Sequence, residues 1–339
     1  MILFTADWHI KLGQKNVPYL WAMERYHDFF ERIYDLEEDV DLHIIGGDLF
    51  DRLPNMEELH LYFKFIRDVK VHTIIFDGNH EATRKNKTFF SYLKECSAQI
   101  NPLIQIVDSL YETDLFTILP YCELHRKTVF NEIDKSKPLF THVRGEIPPH
   151  VKPEIDLDLL APFPVVFAGD LHAHSNCQRN IVYPGSPMTT SFHRNEVDTG
   201  YILIHEDTED WAWEYDSFKL PQLIRKTVTD PKDMVPTDFH HTIYELEGDI
   251  QDLAEVKNSE LLDKKVVVRS ADASLILNKE MSVAEELHEY LQYILEIDEE
   301  KIDNVLLEKC IEVAELKSTI NNFDNDLNTN VGEGGSKSV

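Results

Sequence analysis

Five short stretches of this chain carry side chains able to bind cations or move protons. TADWH sets Asp7 and His9 two residues apart, GGDLFDR supplies Asp48 and Asp51, and DGNHE supplies Asn79, His80 and Glu81. LFTH ends on His142, and AGDLHAH gathers Asp170, His172 and His174. Residues i and i+2 of an extended chain face the same way, so Asp7 and His9 can chelate together. A carboxylate directly after two glycines, as Asp48 is, has lone pairs enough to bridge two cations. Asp48 or Asp51 could instead cap the helix that follows, and for Asp51 a supporting hydrogen bond is expected rather than a metal bond. Asn79 offers a neutral oxygen, and His80 beside it an imidazole free to face a substrate, although Gly-Asn also suits a plain turn. A solitary histidine such as His142 is more often structural than a ligand.

What must position these groups is visible just ahead of each. MILFTA, DLHIIGG, VHTIIF, KPLFTH and PVVFAG are short runs rich in Ile, Val and Phe, the pattern of buried strands. Between the early ones, Leu20, Met23, Phe30 and Ile33, and then Met56, Leu59, Phe63 and Ile66, follow helical spacing. Strands alternating with helices predict an α/β layered sheet. Ligands of such sheets bind at the carboxyl ends of the strands. Five strands would thus deliver Asp, Asn and His to one sheet edge. Any one cluster has a structural explanation, but five placed alike point to a site.

From about Trp211 the pattern changes. FHHTIYELEG and KKVVVRSA read as strands around an acidic helical stretch, which predicts a small α+β unit. From Ser282 the chain turns helical, with Ser282 and Glu285 set as a capping box. One apolar stripe then runs through Val283, Leu287, Tyr290, Leu291 and Ile294, and a second through Ile302, Leu306, Val313, Leu316 and Ile320. The closing NNFDNDLNTNVGEGGSKSV is polar and Gly/Ser-rich, and is expected to be disordered.

The 339 residues, 42% hydrophobic and 10% aromatic, are enough for a large globular domain and a smaller one. The apolar start is too short for a signal peptide, and no run approaches the roughly 18 residues of a membrane span. Cys96, Cys122, Cys177 and Cys310 show no paired spacing, so neither a disulfide framework nor a zinc knuckle is expected, and the location should be cytoplasmic. Against 62 Asp and Glu stand 33 Lys and Arg, a formal net charge of −29. That argues against a general polyanion binder. It leaves room for an enzyme that holds DNA through bound metals, a local basic patch or a partner's help. Solubility alone explains the acidity equally well.

Taken in order, DWH, GDLFDR, GNHE, TH and GDLH resemble the signature of the calcineurin-like metallophosphoesterases: D-x-H, G-D-x-x-D-R, G-N-H-[D/E], a lone His, and G-H-x-H. The very early D-x-H, and YPGSPMTTSF at 183–192, make the chain similar to the SbcD-type nuclease subunits of DNA double-strand-break processing, phage recombination endonuclease subunits included. The motifs span residues 7 to 192; beyond 215 the likeness is architectural. The resemblance implies an α/β fold, a layered β-sandwich flanked by helices with a small α+β capping domain and C-terminal helices. It implies a nuclease domain at 1–215, a DNA-capping domain at 216–278, an ATPase-binding helical segment at 279–322 and a disordered tail at 323–339. Asp7, His9, Asp48 and His172 would hold one metal; Asp48 (bridging), Asn79, His142 and residue 170 would hold the other. His80 would be general acid or transition-state stabiliser, with Asp51 and Glu81 in support.

Two divalent ions are implied, Mn²⁺ foremost and Mg²⁺ next, which oxygen and imidazole donors without Cys suit. The resemblance further implies 3′-to-5′ exonuclease action on duplex DNA, endonuclease action on single strands, and an SbcC-like coiled-coil ATPase partner. It also implies a homodimer through the helices at 20–36 and 56–69, and no membrane association. Core packing explains those helices equally well, and the C-terminal stripes could pack on their own domain. A protein phosphatase or cyclic-nucleotide phosphodiesterase of the same superfamily, or a weakly catalytic scaffold for the ATPase, are the alternatives.

One position departs from the pattern: Asp170 stands where the signature has its first histidine. A shifted register would make His172 and His174 the pair. It would also move both ligands about 6–7 Å along an extended chain, too far for a metal site, so the unshifted register with Asp170 and His172 is expected. An aspartate there makes the donor set more anionic by one charge than a histidine would. That favours hard Mn²⁺ or Mg²⁺ and a slightly less acidic bound water.

Overall fold

Alternation inside each apolar run decides what it packs against. A computed structural model describes residues 1–84, 87–126, 128–206, 211–267 and 283–294, with 297, 302 and 309. The chain runs β1 (Ile2–Thr5), α1 (Tyr19–Leu36), β2 (Leu42–Gly46), α2 (Met56–Asp68), β3 (His72–Phe76), β4 (Ala82–Arg84), β5 (Lys87–Thr88), α3 (Phe90–Ile100), β6 (Ile104–Val107), β7 (Tyr111–Glu112) and β8 (Thr117–Leu119). It continues through α4 (Tyr121–Leu124), α5 (Val129–Glu132), β9 (Leu139–His142), β10 (Val166–Gly169), β11 (Ile181–Val182), β12 (Gly200–His205), β13 (Ala212–Ser217), β14 (Leu223–Val228), β15 (His241–Gly248), α6 (Ile250–Glu255), β16 (Leu262–Val267) and α7 (Val283–Glu289).

Two sheets carry the architecture. The first has six strands in the order β13-β12-β1-β2-β3-β6, and the second five in the order β11-β10-β9-β8-β7. Strands β1, β2, β3 and β6 are parallel, as are β8, β9, β10 and β11. Phe4, Ile44, Ile74 and Phe76 of the first sheet share a dry core with Ile118, Phe140 and Phe167 of the second. Phe4 meets Phe140 and Phe167 edge-on at 5.4 and 6.0 Å. Burying such a ring contributes about 1.5–3 kcal/mol. The alternate residues Leu3, Ile45 and Ile75 face outward onto Phe29, Ile33, Tyr62 and Phe65 of α1 and α2. Leu139, Val166 and Ala168 likewise back the second sheet with Leu157, Leu160 and Phe163. Both faces of each central strand are buried, which is why the runs read as continuous apolar stretches.

The fold is the expected α/β β-sandwich flanked by helices. The single sheet edge expected from the strand pattern is two edges: the strands that carry the clusters are divided between face-to-face sheets. The helices stand where expected, and most of each expected stripe meets the core: Phe30, Ile33 and Ile66 are buried, and Met23, Leu59 and Phe63 pack against it, while the first-turn residues Leu20 and Met56 are exposed. Helix α1 buries Ala22, Tyr26, Phe29 and Phe30, and leaves Leu20 72% exposed. Helix α2 buries Leu61, Tyr62, Phe65 and Ile66, and leaves Met56 78% exposed. Tyr26, Phe29, Tyr62 and Phe65 beside the stripe are buried as well, so the buried face is wider than the stripe. Helix α2 starts at a capping box in which Asn55 accepts from the Glu58 N–H and Glu58 from the Asn55 N–H.

The described residues fall into two compact units, Met1–Glu245 with Ser259–Asp263, and Leu246–Asn258 with the chain from Lys264 onward. Strands β14, β15 and β16 make a third sheet, with α6 between the last two as the acidic stretch predicted. Helix α7 passes into a π-helical turn at Tyr290–Ile294. Ser282 of the expected capping box, the second stripe from Leu306 to Ile320 and the tail at 323–339 lie outside the described residues. Among the described residues no helix is long and apolar enough to cross a membrane.

Candidate metal centre

The carboxyl ends of β1, β2 and β3 bring up Asp7, His9, Asp48, Asn79 and His80. The ends of β9 and β10, from the other sheet, bring His142, Asp170 and His172. The loops after β1 and β2 stay in register beyond the strands: Asp7 N–H donates to Gly47 O (3.0 Å) and His9 N–H to Asp48 O (2.9 Å). The sheets are joined at the site itself. The Asp170 N–H donates to Asp7 Oδ1 (3.0 Å), and His142 Nδ1 bonds the Gly46 carbonyl (2.9 Å). Asp7, His9, Asp48 and Asp170 all have positive φ, 58°, 45°, 51° and 97°. Such backbone costs about 1–3 kcal/mol per residue and gathers where a site over-determines the chain. Room for it comes from glycine: a Cβ on Gly47, itself at φ +84°, would sit 2.5 Å from His142 Nδ1.

Among the described residues three sets of donor atoms each lie within 4.8 Å: Asp7, His9 and His172; His9, Asp48 and His80; and Asp7, Asp48 and His142. The sets overlap at Asp7, His9 and Asp48, so they form one cluster with the form of a two-cation site. His9 Nε2 faces His172 Nε2 at 3.0 Å. Asp48 Oδ2 lies 3.4 Å from His142 Nε2, 3.7 Å from His9 Nε2 and 3.8 Å from His80 Nε2. Asp170 Oδ1 is 3.8 Å from His142 Nε2. The Asn79 oxygen faces His142 Nε2 (3.1 Å) and both Asp48 oxygens. Turned over, its NH₂ would donate to the two Asp48 oxygens at 2.9 and 3.0 Å. The oxygen-inward arrangement is favourable when a cation lies among these acceptors, and the other suits the ion-free protein.

Electrostatics make the same demand. No Lys or Arg lies within ion-pair distance of Asp7, Asp48 or Asp170 among the described residues; their near partners are imidazoles. Burial raises the carboxyls of Asp7 and Asp170. Burial alone would lower His142, but the surrounding carboxylates, Asp48 first, hold it well above its ordinary value. The field there calls for positive charge. His9 is pushed down to about 3 by burial, and His172 is lowered by the same cause, so both present neutral lone pairs. His142 Nδ1–H donates to Gly46 O and His172 Nδ1 pairs with Thr190 Oγ1 (3.1 Å), which turns each Nε2 inward.

The family model for calcineurin-like phosphoesterases matches residues 1–174. The chain belongs to the calcineurin-like phosphoesterases. A probable exonuclease subunit 1 of Escherichia phage T5 is 39% identical over 321 residues, covering 90% of this chain and 96% of that protein. A putative phosphoesterase 244L of Invertebrate iridescent virus 6 is 28% identical over 255 residues, covering 68% and 83%. The solved structure of TT1561 of Thermus thermophilus superposes with a TM-score of 0.35 and 14% identity, covering 54% of this chain and 88% of that one.

For this phosphoesterase the structure separates the two histidines of GDLHAH. His172 reaches the cluster. His174 turns away, its Nδ1 on the Tyr183 carbonyl (2.7 Å) and its ring stacked on Tyr215 at 4.2 Å and 8°. We therefore expect His174→Ala to keep its full metal content, while Asp170→Ala loses one ion and Asp170→His regains it. Metal analysis of the three purified variants checks this, and loss of an ion from His174→Ala alone would reverse the register.

Asp51 and Glu81 stand behind the cluster. Asp51 Oδ1 lies 3.8 Å from His9 Nδ1, and its other oxygen pairs with Lys11 (2.8 Å). Glu81, fully buried, accepts from the N–H groups of Asp48 (2.9 Å), Gly78 (2.8 Å) and Phe50 (2.9 Å), and so ties the GGD loop to the GNH loop. Sequence reasoning missed three braces. Ser186 donates to the Asp7 carbonyl (2.6 Å), Thr190 holds His172, and Tyr26 of α1 donates to the His9 carbonyl (2.6 Å). The first two lie in YPGSPMTTSF, a visible signal; Tyr26 looks like any helix aromatic.

Proposed function

We infer that this protein is the metal-dependent nuclease subunit of a multi-subunit DNA-processing complex. The observation that carries the inference is the cluster of three overlapping donor sets, two of which contain Asp48. The likeness of 90% of the chain to a probable exonuclease subunit supports it. Asp7, His9, Asp48 and His172 would hold one divalent cation, and Asp48, Asn79, His142 and Asp170 the second, Mn²⁺ before Mg²⁺ on donor type. Bound there, such ions polarise the phosphodiester and make a bound water more acidic.

The rest falls to the chain's own residues. His80 stands at the mouth, 37% exposed, with Nδ1 bonded to the Asp51 carbonyl at 2.5 Å. Its Nε2 is thereby left to meet the substrate and to give a proton to the leaving oxygen. Residues 216–278 would guide DNA, and the helical segment at 279–322 would dock a coiled-coil ATPase of the SbcC kind. A homodimer through α1 and α2 fits the exposed Leu20 and Met56. The net charge of −29 suits a subunit that borrows part of its DNA affinity from its partner.

Hydrolysis of duplex DNA, single-stranded DNA and bis(p-nitrophenyl) phosphate in Mn²⁺, with and without the ATPase, tests the reading. Duplex and single strands should both be cut, with the duplex rate raised by the partner. Turnover of the small ester with none of DNA would sink the nuclease assignment and leave another phosphoesterase.

A further inference from the structure

Arg144 lies two residues beyond His142, where β9 has ended but its pairing has not: Val143 N–H still donates to Gly169 O (3.2 Å). Alternation along this extended segment puts Arg144 on the side of His142, next to the chain that carries Asp170. Its surroundings are acidic, yet none of the acids takes it. The Glu154 carboxylate is held by Tyr121 Oη–H (2.6 Å) and His125 Nε2 (3.3 Å), although the Glu154 N–H bonds the Arg144 carbonyl (3.0 Å). Tyr121 in turn packs edge-on to His142, ring centres 6.1 Å apart, which places this group at the wall of the cluster. Of the cations on the loops after β1 and β2, Lys11 is committed to Asp51 and Arg52 to Glu58. Among the described residues Arg144 is exposed and makes neither an ion pair nor a side-chain hydrogen bond.

We propose that Arg144 is a positioning residue that grips the backbone phosphate beside the scissile one, on the Asp170 side of the site. This rests on the nuclease reading above. A guanidinium presents paired N–H donors that match phosphate oxygens. In a chain with a net charge of −29, one uncommitted arginine at the site's wall is where such a grip can be made without breaking an existing pair. A contact of this kind sets the register of a strand and carries no sequence information.

Wild type, Arg144→Ala and Arg144→Lys are compared on a single-stranded oligonucleotide and on bis(p-nitrophenyl) phosphate, which has no second phosphate. Arg144→Ala should raise KM for the oligonucleotide about tenfold, with kcat within about twofold, and leave the small ester unchanged. The salt slope of oligonucleotide binding should fall by about 0.7, metal content should stay at the wild-type value, and Arg144→Lys should recover part of the affinity. An unchanged KM on the oligonucleotide would overturn the assignment while the nuclease reading stands. Equal losses on both esters with metal lost would do the same, by showing that Arg144 acts through Asp170. Wild type that cuts only the small ester would sink both readings.

Discussion

Asp48→Asn should empty both metal positions and lower phosphodiester hydrolysis about a thousandfold or more, with the fold intact. Asp48 Oδ2 stands 3.4 to 3.8 Å from His142, His9 and His80, so it lies among the donors of both positions. The Asp48 carboxyl is buried, which alone would raise it. His142, through its charge and its hydrogen bond, outweighs that and keeps Asp48 ionised. The substitution removes that charge where the other donors converge, and replaces one ligand oxygen with an amide NH₂ that has no lone pair for a cation. Lewis-acid assistance is worth several kcal/mol, and each ~1.36 kcal/mol is tenfold in rate, hence the expected loss. The isostere keeps an oxygen for the His80 N–H, which donates to Asp48 Oδ1 at 2.9 Å, so the loop should hold. Metal content by mass spectrometry, turnover and thermal unfolding are the measurements. A well-folded variant with two ions per chain and ordinary turnover would show that Asp48 is not the shared ligand. Asp51→Asn is the control: Asp51 stands 3.8 Å behind His9, and losing such a supporting group costs about 10–100-fold.

How much of this was legible in the sequence follows from which forces leave a local trace. The strand-end clusters did, because a metal site needs Asp, Asn and His at fixed points, and apolar runs mark the strands that end there. The division of those strands between two sheets did not. Phe4 and Phe140 meet across the dry core while Leu3 and Leu139 back onto different layers, and a strand buried on both faces reads the same in either sheet. Strand β13 was missed for the opposite reason: Ala212, Trp213 and Glu214 are exposed at the edge of the first sheet, so AWEYDS has no apolar run. The helix stripes were legible in their middle and later turns, but not in their first, where Leu20 and Met56 are exposed, and not in their width, since Tyr62 and Phe65 are buried too. The positive φ of Asp7, His9, Asp48 and Asp170 left little trace either: Asp and His reach it more readily than most residues, but most Asp and His do not adopt it. His174, third in a run of apparent ligands, is turned aside by the Tyr183 carbonyl nine residues on and by Tyr215 of the first sheet, which the motif does not record.

His80→Asn should leave both ions bound and still lower kcat on DNA by about 10²–10⁴-fold. The imidazole is set apart from the inward-facing histidines. Its ring meets His9 edge-on at 4.7 Å, its Nδ1 is fixed by the Asp51 carbonyl, and its Nε2 lies toward the open side, 3.8 Å from Asp48. Because that anchor is a backbone oxygen, Asp51→Asn leaves the ring in place, and the two variants can be read independently. The leaving group then separates two roles. A sugar alkoxide is a poor leaving group that needs a proton as the bond breaks, whereas p-nitrophenolate leaves without one. If His80 delivers that proton, His80→Asn should lose its full factor on DNA and much less on bis(p-nitrophenyl) phosphate. If it instead stabilises charge on the phosphoryl oxygens, the two substrates should lose alike, because that charge develops on both. Equal rates for variant and wild type on DNA would remove His80 from the chemistry, and would leave the proton to come from solvent at the mouth of the site.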